Sequence, residues 1–231
     1  MMNEAQGFDL FFQSPLFSET KANKEQLAIY GRMFWPIQVS FIVGLPKLTG
    51  TICQEIGQLA LSGGNRTEEQ RLKGALRFMF PPTIDELGHG RDKYQCVHHD
   101  LFAAQINACT GLGQDELRAT WIRGRANRML ASAITESVCD VTKGLHMMYV
   151  VEMLAPRFFI HQEQIFLSSS DSAKVVHSTM HKNAEIEHAE EAGKFMGYLT
   201  RDESLIDFYI QLWRETADEM HQTMYGAGAR K

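Results

Sequence analysis

His181, Glu185 and His188 are spaced four and three residues apart in the stretch HKNAEIEHAEEAG, within a segment from Leu167 to Ala192 that contains no Gly or Pro. At about 100° per residue, a helix brings these three side chains within roughly 60° of one stripe, so all can point at one spot. Imidazole and carboxylate together suit iron, manganese or zinc. His177 falls on the same stripe one turn earlier, while Glu187, Glu190 and Glu191 are expected on the solvated faces.

One stripe offers three ligands, and a two-metal centre needs further carboxylates from other helices. Glu152 stands out because Met148, Tyr149, Val150, Val151, Met153 and Leu154 surround it in sequence. A carboxylate buried there requires a metal, a proton or a cation such as Arg157. Glu136, sixteen residues earlier, faces the opposite side of a continuous helix and is expected at the surface. In PPTIDELGHGRDKYQCVHHDLFAAQ, Glu86 and His98 are twelve residues apart, about 18 Å along an unbroken helix. Gly88 and Gly90 predict a break, with a second helix starting near Lys93, so that both residues can reach one centre. Helix geometry alone does not separate His98 from His99.

The remaining pattern is helical throughout, with no period-two alternation between hairpin signals. Expected helices cover 7–17, 24–48 with a kink at Pro36, 51–61, 68–79, 83–87, 93–110, 114–122, 126–154, 156–166, 171–199 and 203–225. LSSSDS is expected to cap the helix carrying His181. The 231 residues fit one domain, 1–231, with a frayed tail at 226–231. A net charge of -5 and dispersed cations argue against nucleic acid. Cys53, Cys96, Cys109 and Cys139 form no Cys-x2-Cys pair, and MMNEAQGFDLFF has no basic n-region, so a cytoplasmic protein with reduced thiols is expected. The apolar run FWPIQVSFIVGLP is interrupted by Pro36, Gln38 and Ser40 and is too short to cross a bilayer.

Taken together, Glu86 in DELGHG, a His followed by two residues and Leu-Phe in HHDLF, Glu152 in YVVEMLAP and His-x3-acid-x2-His in HKNAEIEHAEEAG resemble the haem-oxygenase-like di-iron oxidases, also called iron-containing redox enzymes. The resemblance covers roughly residues 20–200. It implies metal ligands at Glu86, His98, Glu152, His181, Glu185 and His188, with the His-x2-Leu-Phe match favouring His98 over His99. It also implies an all-α, haem-oxygenase-like bundle of about seven main helices around a dinuclear site. Two Fe(II) ions with O2 as co-substrate would oxidise, cleave or rearrange a small substrate in specialised metabolism. Two departures from the family pattern are Glu185, where Asp is common, and a long gap between Glu86 and His98. Glu55 is the residue available for a further carboxylate.

The favoured substrate class is an amino acid, with a tryptophan-derived one giving a nitrile as a special case. Fatty-acid decarboxylation to a terminal alkene is an alternative. Tyr30, Phe34, Trp35 and Phe41 form an aromatic stripe suited to an apolar side chain, and Arg32, Arg77, Arg123 and Arg125 are available to pair with a carboxylate. The expected partner is a small molecule, without nucleic acid or membrane, and a homodimer fits the size. A rival pattern uses Glu86-x2-His89 and Glu185-x2-His188 with Glu55 and Glu152, as in ferritin-like iron-oxidising proteins. It leaves His98 and His181 unused. A mononuclear zinc hydrolase and a metal-free interaction protein of the same fold are the remaining classes.

Overall fold

The computed structural model describes residues 4–88, 97–119 and 124–226. Among them the chain forms nine α-helices and no strand: α1 (Glu4–Phe11), α2 (Lys24–Ser62), α3 (Arg66–Glu86), α4 (His98–Thr110), α5 (Gln114–Ala119), α6 (Arg125–Ser137), α7 (Val141–Leu167), α8 (Val176–Met196) and α9 (Glu203–Tyr225). The expected all-α bundle is therefore observed. The 227–231 part of the expected frayed tail lies outside the described residues.

Polar caps set several helix starts. Asn23 accepts from Gln26 N while the Gln26 side chain accepts from Asn23 N, a reciprocal cap that starts α2. Asn65, Asp140 and Asp202 do the same work for α3, α7 and α9 through their side-chain oxygens. The Asp140 cap divides the expected 126–154 helix into α6 and α7. Glu136 is exposed near the end of α6.

The helix breaks expected at Pro81–Pro82, at Pro156 and between Leu48 and Thr51 do not occur. α2 runs unbroken past Pro36 and Pro46, α3 past Pro81 and Pro82, and α7 past Pro156. A proline removes one backbone hydrogen bond and crowds the preceding turn. Packing outweighs that cost here, because α2 lies against α3, α4, α6 and α9 and α7 lies along α8. α8 begins at Val176 without a side-chain cap, after a short 3-10 turn at Ser172–Lys174, so LSSSDS does not cap it. The segment expected as helix 7–17 is α1 followed by a 3-10 turn at Pro15–Ser18.

α2 is long and apolar enough to cross a membrane, yet 56% of its most apolar window is buried within the bundle. It is the central helix. A buried polar chain ties it to the helices around the site: Gln162 Nε2 donates to Tyr30 Oη at 2.7 Å, Ser178 Oγ to Gln162 Oε1 at 2.7 Å, and Gln105 Nε2 to Ser178 Oγ at 2.7 Å. These bonds fix the first turn of α8 relative to α2, α4 and α7. Cys53, Cys109 and Cys139 are free thiols.

Candidate metal centre

α8 lies between α7 on one side and α3 with α4 on the other. Its inward stripe includes His177, His181, Glu185, His188 and Ala192, all buried. The first four are polar, so this helix buries chemistry where a core helix would bury leucine. Glu86 ends α3 and His98 opens α4. Gly88, two residues past the end of α3, has φ 76°, a left-handed conformation that glycine adopts without strain. The expected break is therefore at Gly88, and α4 begins at His98 rather than near Lys93. Gly90, Lys93 and His89 lie outside the described residues.

Six of the side chains singled out in the sequence meet as two triads. Glu86, His98 and His181 form one, and Glu152, Glu185 and His188 the other, with the ligand atoms of each within 4.8 Å of one another. Each of the six is between 1% and 3% exposed. Glu185 joins the triads, because Oε1 contacts His181 Nδ1 while Oε2 lies 3.2 Å from His188 Nδ1. In the first triad His98 Nδ1 is 3.1 Å from Glu86 Oε2 and His181 Nδ1 is 3.8 Å from Glu86 Oε1. The 3.1 Å contact pairs the two groups across the end of α3 and the start of α4. Buried imidazole and carboxylate atoms converging in this way suit a cation between them. His188 Nδ1 is 3.7 Å from Glu152 Oε2 in the second triad.

Electrostatics point the same way. Burial raises Glu86, but the imidazoles of His98 and His181 outweigh it and hold its carboxyl below the ordinary value. Glu185 is likewise pushed up by burial and pulled well down by its bonds to His181 and His188. Glu152 has no such relief, because burial and the Glu185 charge raise it well above the carboxylate range. Burial lowers His188, yet Asp85, Glu185 and Glu152 bring it up to about 12. Arg157 does not neutralise Glu152, since it pairs with Asp9 at 2.8 Å and lies over the Phe12 ring. Bound divalent cations would relieve this cluster of acids.

Two residues bear on the site beyond those expected. Asp85 Oδ2 is 3.1 Å from His188 Nε2 and buried, so it holds the side of that ring turned away from Glu185. Two divalent ions against the three triad carboxylates would leave one positive charge, which Asp85 would cancel. On a helix Asp85 and Glu86 diverge by about 100°, so neighbouring acids do not in general share a target. Gln38 is the other, a buried amide on α2. It lines, with Phe34, Phe41, Phe158 and Trp213, a narrow apolar cleft that ends on Glu86, Glu152, His181 and Glu185. The empty space in and at the mouth of the cleft is about 550 Å³.

His99 is turned away, with Nε2 3.3 Å from Asp100 and its ring against Trp35. His98, not His99, is the histidine the structure places in the triad. Glu55 is not brought to the triads. It lines a separate surface cleft with Glu68, Arg71 and Arg201. Glu187 and Glu190 are exposed as expected, and Glu191 is partly buried.

Compared with solved structures, the chain is similar to a CADD-like protein of unknown function from Nostoc punctiforme, with a TM-score of 0.54, 14% identity, and coverage of 95% of this chain and 94% of that one. The likeness is one of fold. No protein-family model matches the sequence, and no curated protein does. The similarity extends over nearly the whole length of both chains, so the bundle that carries the triads is a recurring architecture.

Proposed function

We propose that this protein is a non-haem di-iron oxidase that activates O2 to oxidise, cleave or rearrange a small, mostly apolar molecule. The observation that carries this reading is the pair of buried triads, linked by Glu185, whose Glu86, His181, Glu152 and Glu185 help line an apolar cleft. Glu86, His98 and His181 would hold one ion and Glu152, Glu185 and His188 the other. Two ferrous ions, when bound, would supply the electrons that reduce O2. The donor set lacks thiolate and mixes imidazole with carboxylate, which suits iron. The ferritin-like alternative finds less support, because Glu55 is remote from the triads while His98 and His181 sit within one.

The chain's own groups account for the rest. Phe34, Phe41, Phe158 and Trp213 exclude water from the cleft and favour an apolar substrate body. Asp85 fixes the His188 ring, and Glu185 keeps the two triads in register. Burial and the Glu185 charge make Glu152 bind a proton more tightly than a free carboxylate, and a bound cation would take that proton's place. An amino acid with an aromatic or long apolar side chain remains the favoured substrate, its body lying along the Phe34–Phe41 stretch of α2. A fatty acid is the second reading. It is favoured by the apolar lining of the cleft, which includes neither Arg32 nor Arg77; Arg123 lies outside the described residues. The protein is expected to act as one domain in the cytoplasm.

The test is to load the protein with Fe(II) without oxygen, mix it with O2, and follow the optical change. The twenty amino acids, halogenated tryptophans and medium-chain fatty acids are screened in turn, with products identified by mass spectrometry. One compound class should accelerate the oxygen reaction and be converted. Ferric iron accumulating in the protein with no compound affecting the rate would replace this reading with iron storage.

A further inference from the structure

The two α8 histidines are held differently on the sides turned away from the carboxylates. His188 directs Nδ1 to Glu185 and Glu152, and its Nε2 lies 3.1 Å from Asp85. His181 also directs Nδ1 to Glu185 and Glu86, yet its Nε2 is buried with no hydrogen-bond partner. An imidazole that ligates through one nitrogen carries a proton on the other, and that N–H is normally held by an acceptor that fixes the ring. His177, one turn earlier, is wholly buried, and neither of its ring nitrogens has a partner. Its ring centroid is 4.5 Å from that of His181, and the Phe102 and Phe159 rings close the remaining sides. An unpaired imidazole among phenyl rings is a cost to the fold that packing alone does not justify. The rings are not aligned for a direct bond, so a link between them needs a small rotation or one buried water.

We propose that His177 is a positioning residue that accepts the Nε2–H of His181, directly or through one water, and thereby sets the affinity of the Glu86–His98–His181 group for its ion. This rests on the di-metal reading above. His177 does for His181 what Asp85 does for His188, with one difference: an imidazole brings no negative charge where Asp85 brings one. The two ions are therefore held unequally. The Glu86 group is the weaker, and the Glu152 group fills first.

The test is an anaerobic Co(II) titration followed by visible absorption and calorimetry, without O2 or substrate, together with thermal unfolding of the metal-free proteins. Wild type should take two ions with distinct affinities. In His177→Phe, which keeps an aromatic ring in the Phe102–Phe159 cage, the weaker affinity should fall by about ten- to a hundred-fold with the stronger unchanged. The metal-free midpoint should rise or hold, because an unpaired polar group has been removed. His177→Gln, which restores an acceptor, should recover most of the lost affinity. A side chain that only fills space would not separate these readouts. Two ions bound by His177→Phe at wild-type affinities would overturn the positioning role alone, as would a loss of both ions together with a fall in the metal-free midpoint. A wild type that takes up no ion would overturn the di-metal reading itself.

Discussion

Because one Glu185 oxygen contacts His181 and the other lies 3.2 Å from His188, its loss should be felt on both sides of the centre. Glu185→Ala is expected to reduce bound iron to well below one per chain. His98→Ala should remove one ion only, and His99→Ala should leave both, as read by metal analysis after anaerobic loading. Protons compete for the same atoms. In the metal-free protein His188 is raised to about 12 and Glu152 well above its ordinary value, so both hold their protons more tightly than free side chains do. A metal must displace those protons, so affinity should rise with pH, by about tenfold per unit for each proton displaced. A pH series of titrations from 6 to 8 with proton release measured in weak buffer checks this, and affinity independent of pH would contradict it. At this scale the α8 residues were legible from spacing alone, since one helix sets their relation. Asp85 and the unpaired state of His177 were not, because both depend on which way α3 and α8 turn toward one another.

Helix ends decide whether Glu86 and His98 can serve one site. Gly88 at φ 76° turns the chain out of α3 just past Glu86, and a side chain in that conformation costs about 1–2 kcal/mol. Gly88→Ala is therefore expected to lower stability by about 1 kcal/mol and to weaken the ion held by Glu86 and His98, measured by thermal unfolding and metal titration. Unchanged binding would show that the turn is not what positions them. The Gly88 break was readable in the sequence. The prolines were misleading: Pro81, Pro82 and Pro156 read as breaks, yet α3 and α7 run past them. Tertiary packing overrode local preference there, and packing is what a single sequence hides. The start of α8 was also misplaced, since LSSSDS offers good capping residues that the chain does not use as a cap for α8.

Taken whole, the bundle encloses an acidic, imidazole-rich centre at the end of an apolar cleft, and access through that cleft separates metal binding from substrate chemistry. Ala155 lines the cleft and is no member of either triad. Ala155→Phe should abolish substrate acceleration of the oxygen reaction while two ions still bind. Loss of the ions would instead place Ala155 in the structural support of the centre. The all-α class and the general composition of the centre were visible from sequence. The cleft's lining was not, because Phe11, Gln38, Phe158 and Trp213 come from four distant parts of the chain.

The central claim is a coupled pair of irons in the two triads joined by Glu185. Anaerobic titration with isotopically enriched Fe(II), followed by Mössbauer spectroscopy before and after O2, tests it most directly. The account predicts two irons per chain that become an exchange-coupled diferric pair on oxidation. A limit of one iron, or two irons that oxidise to magnetically isolated ferric ions, would contradict it.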